Sequence, residues 1–397
     1  MSLARMIELH ELAIEDAARF PARRFLYPAL AGDKGRHFRG VVGPRGAGKT
    51  VLLRQLAAER GDAFYLSADA LERGDDPWEL LRTLKEHYDF HTFLIDEVHF
   101  LPEPAAFLKQ LHDFFDVRVV FTSSAALALH DYAHDLSRRV QFLELHPFSF
   151  REYLAIRWET SLPRLALADL LERRWTADHL RTGHRFGAYL TGGLLPYSLE
   201  EPEPIPLLGN ILETVINRDI PALLRLSIDE LETIRRLVRF VGRASIDGIS
   251  YSSLSRNLGI TKYKAEQYVG ALERAFVLRR VMPAGSSVLR EPKVLMAPPH
   301  RLLYRDIDDA RGGLREDFLA QALTQAGIDF AYLKSTQGAK TPDFLIDGPE
   351  RTVVEVGGKG KGRQQFKGIR VGRKVVLADT DTPTGHSIPL FLAGFLA

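Results

Sequence analysis

The 397-residue chain contains no cysteine, which excludes disulfides, thiolate zinc sites and cysteine nucleophiles together. Its redox compartment is therefore not legible from cysteine usage. It also lacks any run near the ~20 apolar residues of a membrane span; the longest, residues 388–397, reads as a buried terminal strand or helix. A dominant charge sign is missing too: 53 Lys and Arg face 51 Asp and Glu, for a formal net charge of +2. The chain as a whole does not advertise a polyanion partner. Residues 1–20 mix acids with apolar residues at helical spacing, unlike a signal or transit peptide, so a cytoplasmic location without membrane attachment is expected. At about 150 residues per domain, this length suggests two to four units.

What is present begins with Gly43-Pro44-Arg45-Gly46-Ala47-Gly48-Lys49-Thr50, the G-x-x-x-x-G-K-[ST] spacing of a phosphate-binding loop. An apolar run at 38–42 reads as a buried strand before it, and residues 50–60 suit a helix packed on a sheet after it. Glycines 43, 46 and 48 let the backbone bend so that successive amides surround phosphate oxygens at a helix N-terminus. Pro44 has no N–H to offer. The nucleotide-contacting set is then Gly43, Arg45, Gly46, Ala47, Gly48, Lys49, Thr50 and Val51. Lys49 reaches the β- and γ-phosphates, and the Thr50 hydroxyl holds Mg²⁺. Upstream, Arg23-Arg24-Phe25-Leu26 either bring an arginine or a ring near the base or are surface charge.

A second strand is expected at 63–67, a helix at 78–87, and a third strand at 92–97 that ends in two carboxylates, the form of a Walker B segment. Asp96 would stand beside Mg²⁺, and Glu97 would orient and polarise the attacking water. A helix at 104–115 leads to a fourth strand at 117–122, ending in Ser123-Ser124. Either serine suits contact with the γ-phosphate or the water, or simply caps a helix. A helix at 125–136, Ser137-Arg138-Arg139 and a fifth strand at 140–145 follow.

Asp96-Glu97-Val98-His99 also spells a helicase D-E-x-H box, but no second motor domain accompanies it. His130 and His134 have metal-compatible spacing on a helix without the HExxH glutamate, and read as a solvated face. Residues 150–158, 165–174, 179–189 and 208–225 read as helices of a small lid, and 200–206 as a stiff linker.

Residues 39–155 resemble an AAA-like prokaryotic ATPase family whose members carry a C-terminal winged helix and a restriction-endonuclease-like region. The stretches that carry the likeness are GPRGAGKT (43–50), FLIDEVHFLP (93–102), VVFTSSAA (119–126), LSRRVQFLEL (136–145) and HPFSFREYL (146–154), with GGLLP at 192–196. The resemblance implies binding of ATP with Mg²⁺ and its hydrolysis. It also implies that Arg139 acts as a finger on a neighbouring subunit's nucleotide, hence a homo-oligomer. The expected catalytic set is Glu97, Lys49, Arg139 and Ser123.

In the C-terminal half, an amphipathic helix at 229–243 precedes helices at 251–258 and 261–275 separated by Gly259. This is a helix-turn-helix, and the apolar run at 276–278 could begin a wing. Lys262, Lys264 and Gln267, with Arg274, Arg279 and Arg280 beyond, suit DNA phosphates and the major groove. A winged helix used for protein contact is the alternative.

From residue 304 a helix at 314–326 and strands at 330–333, 343–346, 352–356 and 374–378 are expected. Glu316, Asp343 and Glu355 fall in an order resembling restriction-endonuclease-like nucleases, which suggests a second metal site at Asp343 and Glu355. The lysine that such nucleases carry two residues after the glutamate is Gly357 here, with Lys359 two further on. A degenerate fold kept for binding is therefore favoured over an active nuclease. Lys359, Lys361 and Arg363, continued by Lys367, Arg370, Arg373 and Lys374, form a basic tract that suits phosphates or is a solvated face.

The expectation is an α/β protein: a P-loop ATPase core with a five-stranded parallel sheet (1–148), a helical lid and linker (149–225), a winged helix (226–300) and a restriction-endonuclease-like domain (301–397). Its expected function is Mg²⁺-dependent ATP hydrolysis coupled to DNA binding. An ATP-regulated nuclease and an ATP-dependent signalling or scaffold protein are the alternatives.

Overall fold

A computed structural model describes residues 3–33, 35–72, 74–123, 136–224, 226–244, 248–285, 291–333, 341–348, 350–358, 366, 372–385 and 387–397. Ser124, His130, His134, Lys359, Lys361, Arg363, Lys367 and Arg370 lie outside the described residues. The chain divides into two compact units, Met1–Pro147 and Phe148–Ala397.

The first unit is built on five described strands: β1 (Phe38–Val42), β2 (Ala63–Ser67), β3 (Thr92–Asp96), β4 (Arg118–Ser123) and β5 (Val140–Glu144). Their order is β2-β3-β4-β1-β5, with every pairing parallel. Parallel neighbours need crossover connections. Those described include α3 (Lys49–Glu59), α4 (Pro77–Tyr88) and α5 (Pro104–Phe114), with α1 (Leu3–Ala17) and α2 (Tyr27–Ala31) preceding the sheet.

Both faces of the sheet are covered, so its strands read as continuous apolar runs. Their period of two still sorts the side chains. Phe64, Leu66, Phe93, Ile95, Val119 and Phe121 join Leu81, Leu108 and Leu111 of α4 and α5 on one face. Ala63, Tyr65, Leu94 and Val120 meet Leu52, Leu53 and Leu56 of α3 on the other. The five strand bounds and the helix bounds expected at 50–60, 78–87 and 104–115 agree to within one or two residues, while the helix expected at 125–136 lies, but for Leu136, outside the described residues.

The second unit opens with α6 (Phe150–Trp158), capped by Ser149 Oγ at the Glu152 amide, and short helices α7 (Leu167–Leu171) and α8 (Ala177–Arg181). The long helices expected at 165–174 and 179–189 are broken. Arg173 has φ 62°, and the Thr176 cap starts α8 afresh before a wide turn at Tyr189–Gly193 in which Gly192 has φ 141°. The linker expected at 200–206 is partly helical, because α9 (Pro204–Thr214) begins at Pro204. A first-turn proline sacrifices no helical hydrogen bond.

Next come α10 (Ile228–Arg243), α11 (Tyr251–Leu258) and α12 (Lys262–Arg274). The antiparallel pair β6 (Leu278–Val281) and β7 (Lys293–Met296) follows. The long helix α13 (Ile307–Gln325) leads into a mixed sheet. Its order is β12-β11-β10-β9-β8, from β8 (Phe330–Tyr332), β9 (Phe344–Ile346), β10 (Thr352–Gly357), β11 (Arg373–Ala378) and β12 (Ser387–Pro389). The chain ends in a buried 3-10 turn, Leu390–Phe395.

The helices expected to form a separate lid do not keep a core of their own. Phe150 and Phe186 share one aromatic cluster with Phe318 of α13 and with Phe391 and Phe395 of the terminal turn. Edge-to-face pairs of this kind add about 0.5–1.5 kcal/mol each beyond their buried area. That packing ties residues 150–190 to the C-terminal sheet.

Candidate functional site

The loop after β1 is shaped by two different demands on glycine. A side chain at Gly43 would place its Cβ 2.1 Å from the Leu145 carbonyl oxygen, so this position is set by close backbone approach. Gly48, with φ 86°, and Gly46, with φ 77°, occupy left-handed conformations that only glycine adopts cheaply. The result is a backbone nest opening at the N-terminus of α3, a fit for phosphate oxygens in shape and dipole.

Lys49 is buried, and its Nζ donates to the carbonyls of Gly43 (2.8 Å) and Pro44 (3.0 Å). The ammonium is thus held over the loop. Arg24, also buried, donates to the Ala47 carbonyl within the loop and to the His146 carbonyl at 2.7 Å. The arginine that the sequence left between base contact and surface charge therefore braces the loop from beneath.

Parallel register brings the neighbouring strand ends level with this loop. Val42 lies opposite Ser123, and Ile95 opposite Phe121, which puts Asp96 beside Thr122. Asp96 is 3% exposed. One of its oxygens accepts from Tyr65 at 2.9 Å and the other from the Thr122 hydroxyl. Burial, then the adjacent Asp96 carboxylate, push the Tyr65 phenol above its ordinary value, so it remains a donor. Thr122 Oγ1 also accepts the Glu97 N–H at 2.9 Å. A single hydroxyl therefore ties the two Walker B acids together.

Glu97 has φ 51° and ψ 50°, a left-handed turn that ends β3 and leads into a 3-10 turn, Val98–Phe100. His99 Nδ1 lies 3.2 Å from Glu97 Oε2 and 3.3 Å from the oxygen of fully buried Ser123. Lys49, Asp96, Glu97 and Ser123 thus converge at the C-terminal ends of the sheet's three central strands. Tyr65, Thr122, His99 and Arg24 support them; Tyr65 and Thr122 were not singled out from sequence, and Arg24 and His99 were noted without these roles. Nothing in Tyr65 or Thr122 as letters marks them, although strand-end position was available as a signal.

Arg139 does not join this group. Its carbonyl accepts from Phe38 N (2.8 Å) at the start of β1, whereas the loop follows Val42 at the other end. The five residues of β1 separate the two by about 16 Å at ~3.3 Å per residue. Its guanidinium grips Asp113 with two bonds, Nε to Oδ1 at 2.8 Å and Nη2 to Oδ2 at 2.7 Å. Those bonds hold Asp113 well below the usual carboxylate range, at about 2.

In the second unit, Thr261 caps α12, whose first turns expose Lys262, Tyr263, Lys264 and Gln267. The basic groups are engaged: Lys262 Nζ with Glu291 (2.6 Å) and Lys264 Nζ with Glu230 (3.1 Å). Gln267 donates to the Tyr263 hydroxyl at 2.8 Å.

A second acidic cluster surrounds β9 and β10. Asp343 precedes β9 and accepts the Val356 N–H at 2.7 Å, while Glu355, 2% exposed, lies within β10. Burial pushes the Asp343 carboxyl up to about 7, with the Glu316 and Glu355 charges adding to it. Gly357 closes β10, and the cation near this cluster comes from elsewhere: Lys293 of β7 reaches Glu316 at 2.6 Å. Lys293 is remote from Gly357 in sequence, so no motif could have pointed to it. Among the described residues, no group of three or more His, Asp or Glu side chains is arranged to hold a metal ion.

Residues 36–154 match the family model of an AAA domain, and residues 184–298 match that of a domain of unknown function (DUF8612). The loop, the Walker B segment and all five described strands of the first sheet lie inside or at the edges of the AAA match, so this part of the chain is a P-loop ATPase-type, nucleotide-binding core. No curated protein matches the chain. Among solved structures, a Walker-type ATPase of Pyrococcus abyssi aligns at 13% identity and a TM-score of 0.42, over 73% of this chain and 94% of that one. Among the described residues, no helix is long and apolar enough to cross a membrane.

Proposed function

We propose that the chain is a Mg²⁺-dependent ATPase whose first unit binds and hydrolyses the nucleotide and whose second unit contacts DNA. One observation carries the first half of this reading: the loop, Asp96, Glu97 and Ser123 stand at the C-terminal ends of the three central parallel strands of the sheet. Thr50, one residue into α3, and Asp96 are the groups that would hold the ion. Bound with its triphosphate, Mg²⁺ offsets charge on the phosphates and eases displacement at the γ-phosphorus.

The chain's own groups do the rest. Amides of residues 45–51 and the Lys49 ammonium bind phosphate oxygens. Tyr65 and Thr122 each donate to Asp96, fixing its carboxylate plane and leaving outward lone pairs for the ion's water shell. Glu97, turned out of β3 by its left-handed conformation, accepts the proton of the attacking water. Arg139 lies too far from its own loop to take part, so a finger role requires a second copy of the chain.

The test is direct. Lys49→Ala should abolish ATP binding by calorimetry, and Glu97→Gln should bind but lose about 10²–10⁴-fold in turnover. Wild-type behaviour in both variants would overturn the ATPase reading.

Support for the DNA half comes from the α11-turn-α12 arrangement followed by the β6–β7 pair, the form of a winged helix, and from the exposed start of α12. Phosphates would compete with Glu291 and Glu230 for the two lysines. Binding followed by fluorescence anisotropy should weaken with salt at a log–log slope of about −0.9 per phosphate neutralised. Salt-independent or absent binding would favour a signalling or scaffold role instead. The Asp343 and Glu355 cluster motivates the nuclease reading. Lys293 is already bound to Glu316, and burial pushes the Asp343 carboxyl up to about 7, away from the fully ionised state a metal ligand needs, so binding without cleavage is the reading we adopt.

A further inference from the structure

We propose that His99 is the positioning residue that holds the Glu97 carboxylate for water activation and couples it to Ser123. The inference rests on Glu97 acting as the group that takes a proton from water.

The geometry is one of competition for a single atom. Imidazole Nδ1 has one in-plane position, carrying either a hydrogen or a lone pair. Two oxygens face it, Glu97 Oε2 at 3.2 Å and Ser123 Oγ at 3.3 Å. An ionised carboxylate only accepts, so it is satisfied by Nδ1 only when that atom bears the hydrogen. Ser123 can take either role, as a second acceptor of that hydrogen or as a donor to the lone pair.

The carboxylate therefore selects the Nδ1–H form, and the serine oxygen shares the same hydrogen. If Ser123 instead donates to Nδ1, a lone pair confronts the Glu97 oxygen and this hydrogen bond is lost. The placement of Ser123 thus decides whether Nδ1 can donate to Glu97. Ser123 is buried at the end of β4, opposite Val42, the residue that leads into the phosphate loop. A displacement at the loop strand has a short path through Ser123 and His99 to Glu97.

The ring itself is well located. Val98 is fully buried and anchors the 3-10 turn, and the imidazole packs on Phe100 at 4.4 Å between centroids. The turn that aims Glu97 out of β3 therefore aims His99 as well. The His99 side chain is 15% exposed, against 21% for Glu97, so water competes little for this contact.

The experiment combines three readouts. In nucleotide-free protein, long-range ¹H–¹⁵N spectra of the imidazoles should show His99 protonated at Nδ1, and Glu97→Ala should remove that preference. In steady state, His99→Ala should lower kcat by roughly 10- to 100-fold, a fraction of a general base's contribution, while the ATP dissociation constant changes less than about twofold because His99 does not line the loop. His99→Asn places an amide N–H at the same remove from Cα as Nδ1 and should restore most of the rate. His99→Gln places it one bond further out and should not.

A His99 ring without a proton on Nδ1, or a His99→Ala variant with wild-type kcat in protein where Glu97→Gln has lost turnover, would overturn the inference alone. Equal rates in wild type and Glu97→Gln would overturn both it and the reading of Glu97 beneath it.

Discussion

Two strand-end acids in this molecule, buried Asp96 and half-buried Asp343, live among opposite neighbours. Asp96 at the end of β3 meets hydroxyl donors, Tyr65 and Thr122. Asp343 before β9 meets two other carboxylates and a single N–H, and is pushed up to about 7, first by burial and then by those charges. Like charges and desolvation favour the neutral form of a carboxyl, as at Asp343. On the function proposed above, the first arrangement would meet a cation supplied from outside. The second answers part of its own charge, with Lys293 bonded to Glu316 and Asp343 pushed toward its protonated form. Similar residues at similar places in a sheet thus acquire different chemistry from their second neighbours.

The sharpest way to break this contrast is to remove the donor side. Thr122→Val deletes the hydroxyl that feeds Asp96 and accepts the Glu97 amide, leaving buried polar groups without that partner. A loss of about 1–3 kcal/mol in urea melts is expected, together with lower turnover at unchanged ATP affinity. An unaltered melt would show that the bridge is not what orders the two acids.

A smaller effect should appear on the other side. The Asp343 carboxyl binds its proton more tightly in the fold than its ordinary value of 3.8 allows. The native state therefore carries the extra proton between pH 4 and about 7, and stability from this group falls as pH rises through that window. Asp343→Asn should leave stability nearly unchanged at pH 5 and raise it at pH 8 by on the order of 1 kcal/mol, about 2–4 °C in Tm for a unit of this size. Lys293→Met removes a cation that lowers the Asp343 value and should shift the pH dependence upward. A flat difference between pH 5 and 8 would contradict the like-charge account.

The smallest structural effect is expected at Arg139. Its pair with Asp113 is partly exposed, with 23% and 29% of the two side chains accessible, and such pairs contribute little to stability. Arg139→Ala should leave Tm within error and slow ATP turnover only at protein concentrations where copies associate. A rate deficit independent of concentration would argue against action on a neighbouring copy.

Much of the fold was legible from the letters. Strands at 38–42, 63–67 and 92–96 announce themselves as short apolar runs between turn residues, because a sheet covered on both faces needs apolar side chains in both directions. The lid was not: residues 150–190 have helical spacing, but Arg173, the Thr176 cap and Gly192 cut them into short pieces, and Phe150 and Phe186 find partners in α13 and the terminal turn. Helical periodicity reports which face is apolar, not what covers it. In the candidate site, Lys49, Asp96, Glu97 and Ser123 were found because each ends a strand or starts a helix within a recognisable run. Arg24 was noticed, but not the task it performs.

By itself the sequence determined the phosphate loop and the acids beside it, since eight contiguous residues dictate a backbone nest and an apolar run ending in Asp-Glu dictates a strand end. Only the tertiary structure decided the partners: Tyr65 and Thr122 on Asp96, His99 between Glu97 and Ser123, Arg24 beneath Ala47, and Lys293 beside Glu316. Local conformation is written in neighbouring residues. Which side chains meet depends on strand order and register, and a shift of one residue would turn Tyr65, Thr122 or Lys293 to the opposite face of its sheet.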